Sequence, residues 1–319
     1  MSLPTPTRES GSVLTIAPRP LRQVATEAVA DIDASLERLS AWHVKVPTDS
    51  RLHKAREVLA TAAATGVLVP AHRGDTLGLR ALEIALDYSA IADTLPDIPL
   101  AAFRRELRDS LIGELEFGDE TRGPLQLQSQ ALVRAAFVRA GVVPSHPTHS
   151  PRQGISSPDL LLENGTLLYA VEAKRPLSTK NVLPRFEDAH AQLKGFGLPG
   201  GILVDATDCL RNTSGDRLDS EVRKIALSMY DRLFENGVGH RPGYSDVMMA
   251  GAYARVAWDS DDHEHDAMVH VQTFSTIGIF GTVKNTLYDH RARWMRTSFE
   301  TGLRLLNRTI EERHRDRAT

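Results

Sequence analysis

The chain is poor in cysteine: a single one, Cys209, stands among 319 residues. That excludes an intramolecular disulfide framework and any Cys-rich zinc module. No apolar run approaches the roughly 18 residues a membrane-crossing helix needs. The first ten residues, MSLPTPTRES, hold no apolar signal-peptide core. A cytoplasmic chain with no membrane partner is therefore the default expectation. Neither sign of charge dominates, since 38 Lys and Arg stand against 41 Asp and Glu, for a net charge of −3. This excludes a uniformly basic coat for nucleic acid. It leaves room for a local basic groove, because backbone binding depends on where charges lie. A phosphate loop is lacking too, since NTSGD at 212–216 has neither a Gly-rich run nor GK[ST]. HEH at 263–265, near Asp261, Asp262, Asp266 and His270, lacks metalloprotease spacing and reads as an exposed loop.

What remains is an ordinary globular composition, 41% hydrophobic and 25% charged, with length for about two domains. Residues 1–18, rich in Ser, Thr and Pro, read as a disordered tail. Residues 19–118 read as a helical region, with helices over about 20–41, 50–65, 75–93 and 100–117. Asp75 serves as a cap, and Gly66 and Gly118 as stops. These helices carry no binding motif, so a scaffold or dimerisation role is expected of them. Residues 119–210 read as an α/β core: a helix over 125–140, a hairpin over 156–176, a helix over 183–196 and a buried strand over 200–206. Residues 211–319 read as an extension of that core for DNA contact or dimerisation. It holds a helix over 220–236, strands over 247–258 and 267–274, and a terminal helix over 297–313.

The hairpin carries the chemistry. Two apolar runs flank Asn164-Gly165, a strong hairpin signal because both positions tolerate positive φ. With that pair as the turn, Glu163 faces Thr166, Asp159 faces Ala170, and Glu172 is a diagonal neighbour of Asp159. Their Cβ atoms are then about 7 Å apart or less. Strand side chains repeat every two residues, so Glu172 and Lys174 share the Asp159 face. Leu160, Leu162, Leu167, Tyr169, Val171 and Ala173 make the other face apolar. Two neighbouring carboxylates repel when both are ionised, and a divalent cation relieves that repulsion. Oxygen ligands suit Mg²⁺ or Mn²⁺. Lys174 could orient or help deprotonate an attacking water. The plainer alternative is a solvated charged face on which Lys174 pairs with Glu172.

Pro158-Asp159 followed by Glu172-Ala173-Lys174 resembles the signature of the PD-(D/E)xK nuclease superfamily. The resemblance covers about 85 residues. It implies a restriction-endonuclease-like α/β core of helix, three-stranded meander, helix and strand. It makes Asp159 and Glu172 the metal-binding acids of a Mg²⁺-dependent endonuclease (Mn²⁺ also serving), and Lys174 its lysine. DNA is the implied substrate, and restriction or antiphage defence the implied role. Many members place a glutamate on the first core helix. The segment 124–140 holds none, only Gln126, Gln128 and Gln130, so Glu120, and next Glu116, are the candidates upstream. Some branches carry a glutamine on the helix after the lysine, which makes Gln192 a candidate beside the site.

Arg175, Lys180, Arg185 and Lys194 surround the hairpin exit and are candidate phosphate contacts. The basic and aromatic run 284–296, with Lys284, Arg291, Tyr288 and Trp294, is a second candidate for DNA contact, against the alternative of an amphipathic helix. The other functional readings are a repair or recombination nuclease, an RNA nuclease, and a non-catalytic DNA-binding module on a degenerate nuclease fold. A homodimer would supply two centres for cutting both strands. Cys209 has no local Cys or His partner in sequence and no expected catalytic use.

Overall fold

A computed structural model describes residues 14–68, 77–95, 101–115, 122–145, 157–211, 213–235, 247–260, 268–280 and 286–318. In chain order these form β1 (Leu14–Pro20), α1 (Leu21–Ala41), α2 (Arg51–Thr65), α3 (Leu77–Ala92), α4 (Ala101–Ser110) and α5 (Arg122–Arg139). There follow β2 (Leu160–Asn164), β3 (Leu167–Lys174), α6 (Val182–Phe196), β4 (Gly200–Asp205) and α7 (Leu218–Glu235). The described chain closes with β5 (Val247–Ser260), β6 (Met268–Ile279) and α8 (Thr286–Ala318). The fold is α/β, with one open mixed sheet in the order β1-β6-β5-β4-β3-β2.

β2 and β3 pair antiparallel, whereas β3 with β4 and β4 with β5 pair parallel. Parallel neighbours need a crossover, and α6 and α7 supply the two. The apolar run at the fourth strand is explained by its place: β4 lies between two strands and all six of its residues are buried.

The N-terminal expectation is corrected in part. Leu14–Pro20 is an edge strand, with Leu14 opposite Thr273 and Ile16 opposite Val271. Its prolines are tolerated because an edge strand has one unpaired side, and the register shifts between Ile16 and Arg19. Residues 1–13 lie outside the described residues, as do Asp75 and Gly118. α4 ends at Ser110, short of the expected 117, and Gly113 follows with φ +110°. α8 begins at Thr286, well before the expected 297, and absorbs most of the basic and aromatic run.

The chain divides into two compact units, each discontiguous in sequence. The first includes residues 136–254 and 274–303. Within it, a Cβ at Gly200 would touch Leu193 of α6, whereas one at Gly201 would touch Met295 of α8. Tyr169 and Tyr253 also pack on α8, against Trp294 and Phe299. Strand alternation and the β3–β4 register then assign Ala170, Glu172 and Lys174 to the α6 face. Tyr169, Val171 and Ala173 belong to the α8 face. The second unit includes residues 14–135, 255–273 and 304–319. Here α1, α2 and α3 pack on one another. A buried polar chain runs through it: Asp87 accepts from Arg255 at 2.9 Å and from Gln128 at 2.7 Å, and Gln128 accepts from Arg51 at 2.9 Å.

Candidate active site

The hairpin forms two residues out of its expected register. Asn164 pairs with Leu167, Leu162 with Tyr169 and Leu160 with Val171, so the loop is Gly165-Thr166 rather than Asn164-Gly165. Gly165 has φ +64°, and Thr166 has no positive φ. Positive φ at the first loop position alone is the pattern of a type II′ turn, where glycine is required. Asn164 thus becomes the last residue of β2. Continued one pair further, the register sets Asp159 directly opposite Glu172 instead of diagonal to it. A slip of two residues keeps every side chain on its face, so the expected cofacial set survives. On its outer side β2 meets one antiparallel bridge, Ser145 with Leu161. The hairpin is thereby flanked by a single bridged residue in place of the third strand of the expected meander.

Asp159, Glu172 and Lys174 come together on the α6 face. Asp159 Oδ2 accepts from the Ala173 backbone N–H at 2.8 Å. Lys174 Nζ donates to Glu172 Oε2 at 2.6 Å and lies 3.6 Å from Asp159 Oδ2. The side chains of Asp159 and Lys174 are 14% and 12% exposed, and that of Glu172 only 1%. A solvated charged face is therefore not what the fold contains. β3 lies between β2 and β4 in the sheet, with α6 packed on this face and α8 on the other. Glu172 Oε1 is buried with no hydrogen-bond partner.

The electrostatics follow from this burial. Desolvation, and then the charge of Asp159, pushes the Glu172 carboxyl up to about 7 against the opposing pull of Lys174. For Lys174, burial works to lower the ammonium pKa. Asp159 and Glu172 outweigh it, and the net shift is upward. The lysine is thus a proton-bearing donor. It bridges two carboxylates that would otherwise repel.

The remaining candidates are dispersed. Arg175 is buried, its guanidinium committed to Asp208 and Asp205, which is a correction to the expected phosphate contact. Its place at a strand end in contact with β4 withdraws it from solvent. Lys180 and Lys194 are exposed; Arg185 is partly exposed and lies 3.7 Å from Asp188. Gln192 lies on α6 with Oε1 buried and unpartnered, and among the described residues no hydrogen bond joins it to the three. Arg291 lies on α8, the helix that packs on the opposite sheet face, and Trp294 packs on Tyr169 with centroids 5.8 Å apart. Glu120, Glu116, Lys284 and the HEH segment lie outside the described residues. Among the described residues no group of three or more His, Cys, Asp or Glu is arranged to hold a metal ion; Asp159 and Glu172 are a pair. No helix of the described residues is long and apolar enough to cross a membrane.

Sequence reasoning missed Asp205, Asp208 and Arg211, which surround Arg175. The available signal was an aspartate closing a buried strand and a second three residues on, together with an arginine directly after the lysine. Comparison with protein-family models, curated proteins and solved structures returns no match.

Proposed function

We propose that this chain is a divalent-metal-dependent endonuclease that hydrolyses DNA phosphodiester bonds at Asp159, Glu172 and Lys174. The observation that carries this reading is the Glu172 carboxylate. One oxygen is bound by Lys174 and the other is buried without a partner. An ion pair kept only for the fold would be expected to satisfy both oxygens, since an unmet buried acceptor costs about 1–3 kcal/mol. An orphan carboxylate oxygen beside a second carboxylate suits a hard cation. Mg²⁺ and Mn²⁺ fit this donor set, because one or two protein carboxylates suffice when water and substrate phosphate complete the shell. Asp159 and Glu172 would hold the ion, which would supply charge neutralisation at phosphorus and a more acidic water.

The order α5, bridge, hairpin β2–β3, α6 and β4 supports a restriction-endonuclease-like core, as does the placement of Pro158-Asp159 directly before β2 and of Glu172-Ala173-Lys174 at the end of the adjoining β3. In this reading hydrolysis joins a water oxygen to phosphorus and breaks one ester P–O bond, and the departing oxygen takes up a proton. Lys174, held protonated by two carboxylates, donates to the charge that develops on the phosphoryl oxygens. The Ala173 N–H holds the Asp159 carboxylate in place. Lys180, Arg185 and Lys194 meet flanking phosphates.

Purified full-length chain and supercoiled plasmid test this directly. Mg²⁺ or Mn²⁺ supports nicking or linearisation, and Asp159→Asn and Glu172→Gln abolish it. Undiminished cleavage in excess EDTA overturns the metal. RNA cut while DNA is spared changes the substrate. DNA bound but never cut favours the non-catalytic module.

A further inference from the structure

Directly beyond Lys174 lies a second charged cluster that the proposed chemistry does not use. Arg175 Nε donates to Asp208 Oδ2 at 2.7 Å and Nη2 to Asp208 Oδ1 at 3.3 Å, while Nη1 lies 3.4 Å from Asp205 Oδ2. Arg211 adds two donors to Asp208 Oδ1, at 2.9 Å from Nε and 2.6 Å from Nη2. The side chain of Arg175 is 2% exposed and that of Asp208 is fully buried. Two carboxylates and two guanidiniums make the cluster neutral as a unit. Burial alone would raise the Asp208 carboxyl, but the two arginines hold it well below the usual carboxylate range.

The cluster is tied to the backbone on both sides. Asp205 Oδ1 accepts from the Thr207 N–H at 3.1 Å and from its hydroxyl at 2.6 Å, which fixes the turn leaving β4. The Cys209 thiol donates to the Pro176 carbonyl at 3.4 Å. Segments 175–176 and 205–211 are therefore bound to each other just past the carboxyl ends of two parallel strands.

A buried ion cluster is a poor route to stability, because apolar residues of similar volume often do as well or better. What a two-point Arg–carboxylate fork does provide is a single orientation. β3 ends at Lys174, where the regular strand pairing stops. The lysine ammonium must nonetheless be held near two carboxylates.

We propose that the Arg175–Asp208–Arg211 cluster, with Asp205, is a positioning device for Lys174. It pins the main chain at the end of β3, and Arg175 acts through its neighbour rather than on phosphate. This inference rests on Lys174 being the lysine of the proposed nuclease.

The test uses the full chain with Arg175→Lys, which keeps the charge but loses the fork, together with Asp208→Asn and the milder Arg211→Lys at the rim of the cluster. Single-turnover plasmid cleavage at saturating DNA and Mg²⁺ falls about 30-fold or more in Arg175→Lys and Asp208→Asn, and about fivefold in Arg211→Lys. DNA and Mn²⁺ dissociation constants stay within about threefold, so the loss is in kcat and not in KM. An unchanged saturated rate in the folded variants overturns the proposal. So does a rate that merely follows the folded fraction, or a loss of DNA affinity with the rate intact. Arg211→Lys keeps both buried carboxylates paired and serves if the other two fail to fold. A parent chain that cuts nothing speaks against the nuclease reading instead. Amide hydrogen exchange then decides on the clamp alone: about tenfold faster exchange confined to 173–177 in the folded variants supports it, and unchanged exchange there overturns it.

Discussion

Asp159 is tied to the strand that carries its partner: its Oδ2 accepts the Ala173 backbone N–H at 2.8 Å, across the hairpin. The same oxygen is 3.6 Å from Lys174 Nζ. One backbone donor thus holds a carboxylate beside an ammonium whose second partner, Glu172, is buried behind them. This arrangement makes the site sensitive to pH.

With the Glu172 carboxyl pushed up to about 7, burial being the first cause and Asp159 the second, the folded chain carries a proton between pH 4.5 and about 7 that the unfolded chain has lost. This group's contribution to stability is full below pH 4.5. It falls as pH rises through 7, by about 3 kcal/mol at most. A divalent cation needs the ionised form, so Mn²⁺ affinity rises about tenfold per pH unit up to about 7 and then levels. Calorimetry at pH 6, 7 and 8 in buffers of different ionisation enthalpy shows release of nearly one proton at pH 6 and almost none at pH 8. A pH-independent affinity contradicts the assignment of Glu172 as ligand.

Lys174→Ala keeps DNA affinity within about threefold, because one ammonium among several basic groups is a small part of backbone electrostatics. Single-turnover cleavage falls by about 10²-fold or more, since the group acts where charge develops. Cleavage at the parent rate under saturating DNA and metal rejects the lysine's role.

Gly302→Ala tests the packing of α8 on α5. A Cβ there would lie 1.7 Å from the Ala136 carbonyl oxygen, a backbone atom that cannot rotate aside. The two helices must separate, and overpacking of this kind costs about 1–3 kcal/mol or more. The urea midpoint falls accordingly; an unchanged midpoint means that the helices do not approach so closely.

Cys209 resists alkylation. Burial, with the charges of Asp208 and Asp205, pushes its thiol up to about 12. At pH 8 its thiolate fraction is about a thousandfold below that of a free cysteine, so iodoacetamide reacts correspondingly slowly with the native chain. Rapid single-site labelling without unfolding contradicts the burial. In Asp208→Asn the labelling speeds up, because one of the opposing charges is gone.

Much of the local structure was legible in the residues. The apolar spacing of α1 and α2, the glycine stop at Gly66 and the apolar run of β4 are short-range signals, and each element formed within a few residues of its expected bounds. The cofacial placement of Asp159, Glu172 and Lys174 was legible for the same reason. It depends on a side-chain period of two, which a two-residue slip in the turn leaves intact. What only the tertiary structure decided is which of those groups water can reach. Glu172 is buried because α6 packs on its face of β3 while β4, about 30 residues further along, extends the sheet beside it, and no local pattern encodes either docking. Arg175 is withdrawn from solvent by Asp208, 33 residues away in sequence. The tail strand β1 exists because β6, at the far end of the chain, offers it an edge. Periodicity assigns a face to each side chain. Packing between distant segments determines whether that face is covered, and coverage sets the charge state and the chemistry available to it.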